Sequence, residues 1–152
     1  MGESNLNGEF KMESKANAKW TGSLKDGKGI LTSNSGVLAN TPYSFATRFE
    51  GAKGTNPEEL ISAAHAGCFS MALSVELGKA QITADSIETS AVVTLTKQEQ
   101  GFAISESRLT TTVTAKGADR SKIESAAASA KENCPVSKLL NAKISLDLTI
   151  NS

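Results

Sequence analysis

Hydrophobic and polar positions alternate without a break near the end of the chain, with Ile144, Leu146, Leu148 and Ile150 set against Ser145, Asp147 and Thr149. A period of two predicts a strand with one buried face. The same period runs through Ile87 to Thr96, where Ile87, Thr89, Ala91, Val93 and Leu95 share one face. Phe102 to Ala115 is the predicted partner of that strand, across a turn at Gln100-Gly101. Towards the N-terminus, Trp20 to Leu24, Gly29 to Ser33 and Ser44 to Glu50 are short segments bounded by Gly, Asn and Pro, and they predict three more strands. Asp26-Gly27 marks a hairpin between the first two.

Two stretches break this period and predict helices. The first spans Thr55 to Lys79. Asn56 is its expected cap, Pro57 suits the first helical position, and Glu58 and Glu59 complement the positive end of the helix dipole. Leu60, Ala64, Cys68, Met71 and Val75 form the expected core-facing stripe, and Ile61, Ala72 and Leu73 widen it until the helix reads as central and nearly enclosed. Gly78 stands where a C-terminal glycine is expected. The second helix runs from about Asp119 to Asn133, with Ile123, Ala126, Ala127 and Ala130 inward. Cys134-Pro135 then breaks it and opens a further helical turn through Leu140. The predicted order is β-β-β-α-β-β-α-β. Without regular strand-helix alternation it implies an α+β fold, a mainly antiparallel sheet packed on central helices.

The chain has 152 residues, enough for one domain with a core of its own. Residues 1–17 are polar and read as a disordered arm or an appended remnant, with Met12-Glu13 as an internal start or the end of that remnant. Residues 18–152 form the expected single domain. The arm lacks the apolar segment of a secretory signal, and the long apolar helix carries His65 and Glu76 and reads as too polar for a membrane span, so a cytoplasmic protein is expected. Sixteen basic and sixteen acidic residues cancel, and no cluster of Lys and Arg stands out. Nucleic-acid binding is therefore not expected. Aromatics make up only 5% of the chain, so Ala, Leu, Ile and Val must fill the core, and a core shared between subunits would help.

Candidate chemistry concentrates on two cysteines, Cys68 inside the first helix and Cys134 before Pro135. A cysteine on an apolar helix is often a small hydrophobe; as a reactive thiol it needs a cation to hold the thiolate, and Arg48 is the candidate. Glu58 is a second candidate partner. It lies ten residues from Cys68, about 15 Å along a regular helix, so it acts there only if the helix is broken or a second chain supplies it. Cys134, at the start of a short helix, suits a resolving thiol. His65, three residues before Cys68, admits a rival hydrolase or transferase pair. A metal set of Cys68, Cys134, His65 and Glu58 lacks the close ligand pair that nucleates such sites. A non-enzymatic, stress-related small-molecule binding module with structural cysteines is the remaining alternative.

Five segments, Pro42 to Phe45, Arg48 to Gly51, Gly54 to Ile61, Ala63 to Leu73 and Cys134 to Ser137, resemble the OsmC/Ohr family, and more narrowly its OsmC branch. The resemblance covers about Ala18 to the C-terminus. It implies an OsmC-like fold in an intertwined homodimer and a role in oxidative and osmotic stress. The implied activity is that of a peroxidase on organic hydroperoxides with no bound cofactor. Carried over by motif, Cys68 is the peroxidatic thiolate and Cys134 the resolving thiol, with Arg48 and Glu58 as the pair that positions and activates. An external dithiol, a lipoyl group in the family, would reduce the resulting disulfide. An apolar surround from Phe69, Met71, Ala64 and Phe49 or Phe45 would favour alkyl hydroperoxides.

Overall fold

The computed structural model describes residues 3–4 and 8–152, and the chain divides into two compact units, Met1–Asn56 and Pro57–Ser152. In the first unit, β1 (Glu3–Ser4) pairs antiparallel with β2 (Phe10–Lys11). A second antiparallel sheet has the order β3 (Ala16–Thr21), β4 (Lys28–Ser33) and β5 (Thr41–Tyr43). The disordered arm expected over residues 1–17 thus differs from what is found. Residues 1–2 and 5–7 lie outside the described residues, whereas Ala16 and Asn17 begin β3, paired with Ser33 and Thr32. Too short and too polar to show a period of its own, this end is ordered by its partner strand.

The β3–β4 connection contains the expected Asp26-Gly27 signal, where the Gly27 N–H donates to the Ser23 carbonyl at 2.8 Å. Opposite Trp20 in the register sits Gly29, and it must be glycine. A Cβ there would run into the Tyr43 ring and come within 2.8 Å of the Trp20 ring, which lie 5.5 Å apart by centroid.

Ser44 to Glu50, expected as a strand, forms helix α1 (Phe45–Phe49) instead, and the third strand is the preceding Thr41–Tyr43. A capping box decides it. Ser44 Oγ accepts from the Thr47 N–H at 3.2 Å, and Thr47 Oγ1 accepts from the Ser44 N–H at 2.9 Å. Helical spacing also stacks Phe45 and Phe49 at 4.9 Å between ring centroids.

The second unit is built on α2 (Pro57–Lys79), β6 (Ser86–Gln98), β7 (Gly101–Thr114), α3 (Arg120–Asn133), α4 (Pro135–Leu139) and β8 (Lys143–Asn151). The long β6–β7 hairpin closes through Glu99-Gln100, with Gly101 at φ +118° as the turn signal implied. The tail forms β8 as its alternation predicts. It runs parallel to β7, because the chain crosses back through α3 and α4 before re-entering the sheet. Sheet order is β6-β7-β8. The inward set predicted for α3, Ile123, Ala126, Ala127 and Ala130, is buried, in one core cluster with Leu109 and Val113 of β7, where α3 packs against α2 and β8.

Helix α2 differs from expectation in which face it buries. His65, Phe69, Leu73 and Leu77 point into the core, while Met71 is 74% and Val75 60% exposed. The helix therefore covers one face of this unit and is not enclosed by it. Apolar residues lie on all sides of α2, so their spacing does not single out a core stripe. By length and composition α2 is in fact apolar enough to cross a membrane, with a mean hydropathy of 1.4; its packing against β6 and α3 accounts for the apolar residues of its inner face. Its C-terminus also differs. Gly78 stays helical, and Gln81 takes the left-handed position at φ 59°, with Ile82 N–H donating to Leu77 O at 2.9 Å and Gln81 N–H to Gly78 O at 3.0 Å. This is a Schellman ending with a non-glycine residue at its strained position. Gln81→Gly is expected to raise the unfolding free energy by about 0.5–1 kcal/mol in denaturant titration; an unchanged or lower value would show that the left-handed backbone carries no strain.

Candidate active site

Two elements bring the cysteines together. Cys68 sits halfway along α2, half-buried, one helical turn from the buried His65. Cys134 is 0% exposed and does two jobs in the backbone: its N–H donates to Ala130 O at 2.9 Å to end α3, and its carbonyl accepts from Lys138 N–H at 3.1 Å to begin α4. Pro135 forces that arrangement. It holds Cys134 out of helical geometry, at ψ 123°, and supplies the first residue of α4 without needing a hydrogen-bond acceptor. As a result the two sulfurs lie 3.0 Å apart in an S–H···S contact, both cysteines free. A disulfide needs about 2.05 Å, so roughly 1 Å of approach would close one.

Acidity is divided between them. Burial pushes the Cys68 thiol up, and Cys134 beside it adds to that, against a smaller opposing effect of the Val136 N–H. Cys134 also loses hydration, but the hydrogen bond with Cys68, the N–H and hydroxyl of Ser137 and the N–H of Val136 outweigh the loss and hold its thiol below the ordinary value. The start of α4 thus stabilises a thiolate at Cys134, as expected for a cysteine before Pro135. Cys68 differs from expectation, because these neighbours do not ionise it. Exposure is divided the opposite way: Cys68 is half-buried and Cys134 fully buried.

His65 is fully buried and serves neither a hydrolase pair with Cys68 nor a metal. Its Nδ1 lies 2.6 Å from Ser107 Oγ on β7, and its Nε2 lies 2.8 Å from Ser137 Oγ on α4. Both serines are buried, and neither stood out among the candidates. Ser107 was traceable in principle: it shares the parity of Leu109, Thr111 and Val113 on β7, which makes it a polar residue on the core face.

Of the remaining candidates, Glu58 lies in the second unit with the sulfurs and Arg48 in the first. Glu58 is buried in the first turn of α2. The helix is unbroken from Pro57 to Lys79, so ten residues put it about 15 Å from Cys68 along the axis. A broken helix is thereby excluded as the route between them. Arg48 belongs to the first unit, in the last turn of α1, with its guanidinium 5.4 Å from the Phe49 ring centroid. There it lines a cleft of about 290 Å³ with Trp20, Leu24, Tyr43, Phe45 and Phe49. Of the apolar surround expected for Cys68, Phe69 is fully buried in the core and Met71 points outward.

The comparisons with known proteins agree with one another. The family model described as OsmC-like protein matches residues 50–149. Peroxiredoxin OsmC of Escherichia coli (strain K12) is 52% identical over 138 residues, covering 91% of this chain and 96% of the relative. Organic hydroperoxide resistance protein OhrB of Bacillus subtilis (strain 168) is 36% identical over 124 residues, covering 80% of this chain and 88% of the relative. The crystal structure of that OhrB superposes with a TM-score of 0.66 at 32% identity, over 89% of this chain and 98% of the other.

Burial pushes the His65 imidazole below its ordinary pKa of 6.5, so it is neutral in the folded chain and takes a proton more readily once unfolded. Protonation therefore favours unfolding. Stability is full above about pH 6.5 and falls as the pH drops below it, by up to about 1.4 kcal/mol per pH unit for one proton. Glu76, depressed by Lys79, and Asp119, depressed by Ser121, begin to lose their contribution only once the pH falls to their ordinary values of 4.5 and 3.8, below the histidine's range. His65 is the single histidine of the chain, so His65→Gln should flatten the decline between about pH 6.5 and 5 in denaturant titrations. An equal slope in the variant would remove the assignment.

Proposed function

The chain belongs to the OsmC-like protein family, and on that premise we propose that it is a cysteine-based peroxidase that reduces organic hydroperoxides to alcohols. The observation that carries this reading is the 3.0 Å approach of the Cys68 and Cys134 sulfurs. A binding module with merely structural cysteines has no need of such a pair, and a hydrolase would need His65 turned to Cys68 and not to two serines.

Cys68 is assigned as the peroxidatic residue because, of the two cysteines, it is the one not fully buried. Its thiolate attacks the peroxide oxygen, the O–O bond breaks, the alkoxide leaves as the alcohol after taking a proton, and Cys68 becomes a sulfenic acid. Cys134 then attacks the Cys68 sulfur, water departs, and the disulfide forms. An external dithiol, a lipoyl group by family resemblance, restores both thiols. Such a cycle suits the cytoplasm, where thiols are kept reduced.

Since burial and Cys134 push the Cys68 thiol up, its ionisation calls for a cation, and Arg48 is assigned that task. The mostly apolar cleft that Arg48 lines supports substrates with an alkyl or fatty-acyl part. With α2 unbroken, Glu58 is assigned to the site of a second chain. The exposed Met71 and Val75 on α2 support the same arrangement, an intertwined homodimer that covers this face.

Loss of Cys68 separates this cycle from its alternatives. Cys68→Ser is expected to abolish turnover of cumene hydroperoxide, whereas Cys134→Ser should consume one equivalent and stall, both followed by alcohol release with excess dithiol. Full multiple turnover by Cys134→Ser would end the resolving role. Turnover of hydrogen peroxide equal to that of cumene hydroperoxide would end the organic preference. For the assembly, the wild type should sediment as a dimer and Met71→Glu should shift it towards monomer; a wild-type monomer would exclude the second-chain role of Glu58.

A further inference from the structure

We propose that Ser70 is a positioning residue for the resolving step: seated on a pair of threonines, its hydroxyl fixes the roll of α2 about its own axis and so the separation of the two sulfurs. The inference rests on the peroxidase reading above. The Ser70 hydroxyl donates to the Ala66 carbonyl at 2.8 Å and to Thr89 Oγ1 of β6 at 2.8 Å, and Thr89 Oγ1 lies 3.1 Å from Thr111 Oγ1 of β7. Thr89 and Thr111 are register partners in the β6–β7 ladder; Thr111 is fully buried, Thr89 and Ser70 half-buried.

Directional bonds thus tie α2 down at two points. His65 reaches Ser107 of β7 and Ser137 of α4, Ser70 reaches Thr89 and through it Thr111, and Cys68 lies between the two along the helix. At about 100° per residue, His65 and Ser70 project about 140° apart, on the two flanks of the buried face that Phe69, Leu73 and Leu77 form. Those apolar side chains press α2 onto the sheet without a preferred direction, whereas a hydrogen bond weakens steeply away from its angle. One tie leaves the helix free to roll about it; a second on the other flank does not. Cys68 projects about 200° from Ser70, so a roll that draws Ser70 off the threonines swings Cys68 the opposite way. At a side-chain radius of about 5–6 Å, a roll of about 10° moves the Cys68 sulfur by about 1 Å. That is the difference between the 3.0 Å contact and a bond of about 2.05 Å.

Two fates compete for the Cys68 sulfenic acid. In resolution the Cys134 sulfur displaces its hydroxyl: the S–S bond forms, the S–O bond breaks, and the hydroxide leaves as water with the proton that Cys134 gives up. In over-oxidation a second hydroperoxide gives its terminal oxygen to the same sulfur, the O–O bond breaks, the alkoxide takes a proton and departs as the alcohol, and a sulfinic acid remains. Only the first fate depends on how far Cys134 is from Cys68. Holding the roll of α2 therefore commits Cys68 to the disulfide.

The test follows the full chain after addition of cumene hydroperoxide, by rapid quenching and mass spectrometry. It reads the Cys68 sulfenic acid trapped with dimedone, the Cys68–Cys134 disulfide and the sulfinic acid. A wild type that forms none of the three would overturn the peroxidase reading itself. In Ser70→Ala, and in Thr89→Val, which keeps the shape and removes the hydroxyl, disulfide closure should slow about tenfold relative to sulfenic acid formation, within the roughly hundredfold that a misplacement of about 1 Å can cost. Excess hydroperoxide should then carry more of Cys68 to the sulfinic acid than in the wild type. Thr89→Ser, which keeps the hydroxyl, should restore closure. The double variant Ser70→Ala with Thr89→Val should be no slower than the slower single one, because both changes break the same line. Closure slowed no more than formation in Ser70→Ala would overturn the proposal. So would a Thr89→Ser variant as slow as Thr89→Val, or a double variant slowed by the product of the two single effects. Thr89→Val decides the matter if Ser70→Ala does not fold.

Discussion

A buried imidazole holding one serine on each side is the constraint from which the site follows. His65 belongs to α2, Ser107 to β7 and Ser137 to α4, so two hydrogen bonds of 2.6 and 2.8 Å tie three elements distant in sequence to one point. Polar groups buried this completely are costly unless paired, and pairing here admits only one placement of α4 against α2. Cys134 opens α4 and Cys68 lies one turn beyond His65, so whatever registers the histidine also registers the sulfurs. The 3.0 Å contact is a consequence of that registration.

Opposite demands fall on the two thiols. In the proposed cycle attack on a peroxide needs access, and Cys68 is half-buried where Cys134 is fully buried. Attack on the resulting sulfenic acid needs a thiolate ready at short range, and it is Cys134 that the donors of Val136 and Ser137 favour. What acidity the second unit withholds from Cys68 has to come from a cation, and the proposed assignment gives that work to the one arginine the motifs single out. The enzyme in this view is a division of roles between a half-buried cysteine and a fully buried one whose sulfurs lie 3.0 Å apart.

Some features were readable from the residues because the cause is local. Alternation along β6 and β8 survives as alternating burial, since the side-chain period of a strand is set by its own backbone. The break at Cys134-Pro135 is likewise local chemistry. Helix α1 differs from the strand expected there although its own signals are in the sequence. Ser44 with Thr47 three residues on, and Phe45 with Phe49 four residues on, describe one capped turn, whereas a short segment bounded by Gly, Asn and Pro predicts a strand. Helix α2 was found with its beginning at Pro57, but its buried face was not, because Met71 and Val75 are as apolar as Phe69 and Leu73.

By itself, then, the sequence determined the elements whose periods and caps are internal to them, the two cysteines, and through matching motifs the family. Which side of α2 meets the core, that β8 runs parallel to β7, and that two serines from separate elements close on His65 were decided only in three dimensions. Each is a pairing between segments far apart in the chain. A propensity or a period is a property of neighbours in sequence, whereas the 3.0 Å between Cys68 and Cys134, sixty-six residues apart, is a property of how whole elements pack.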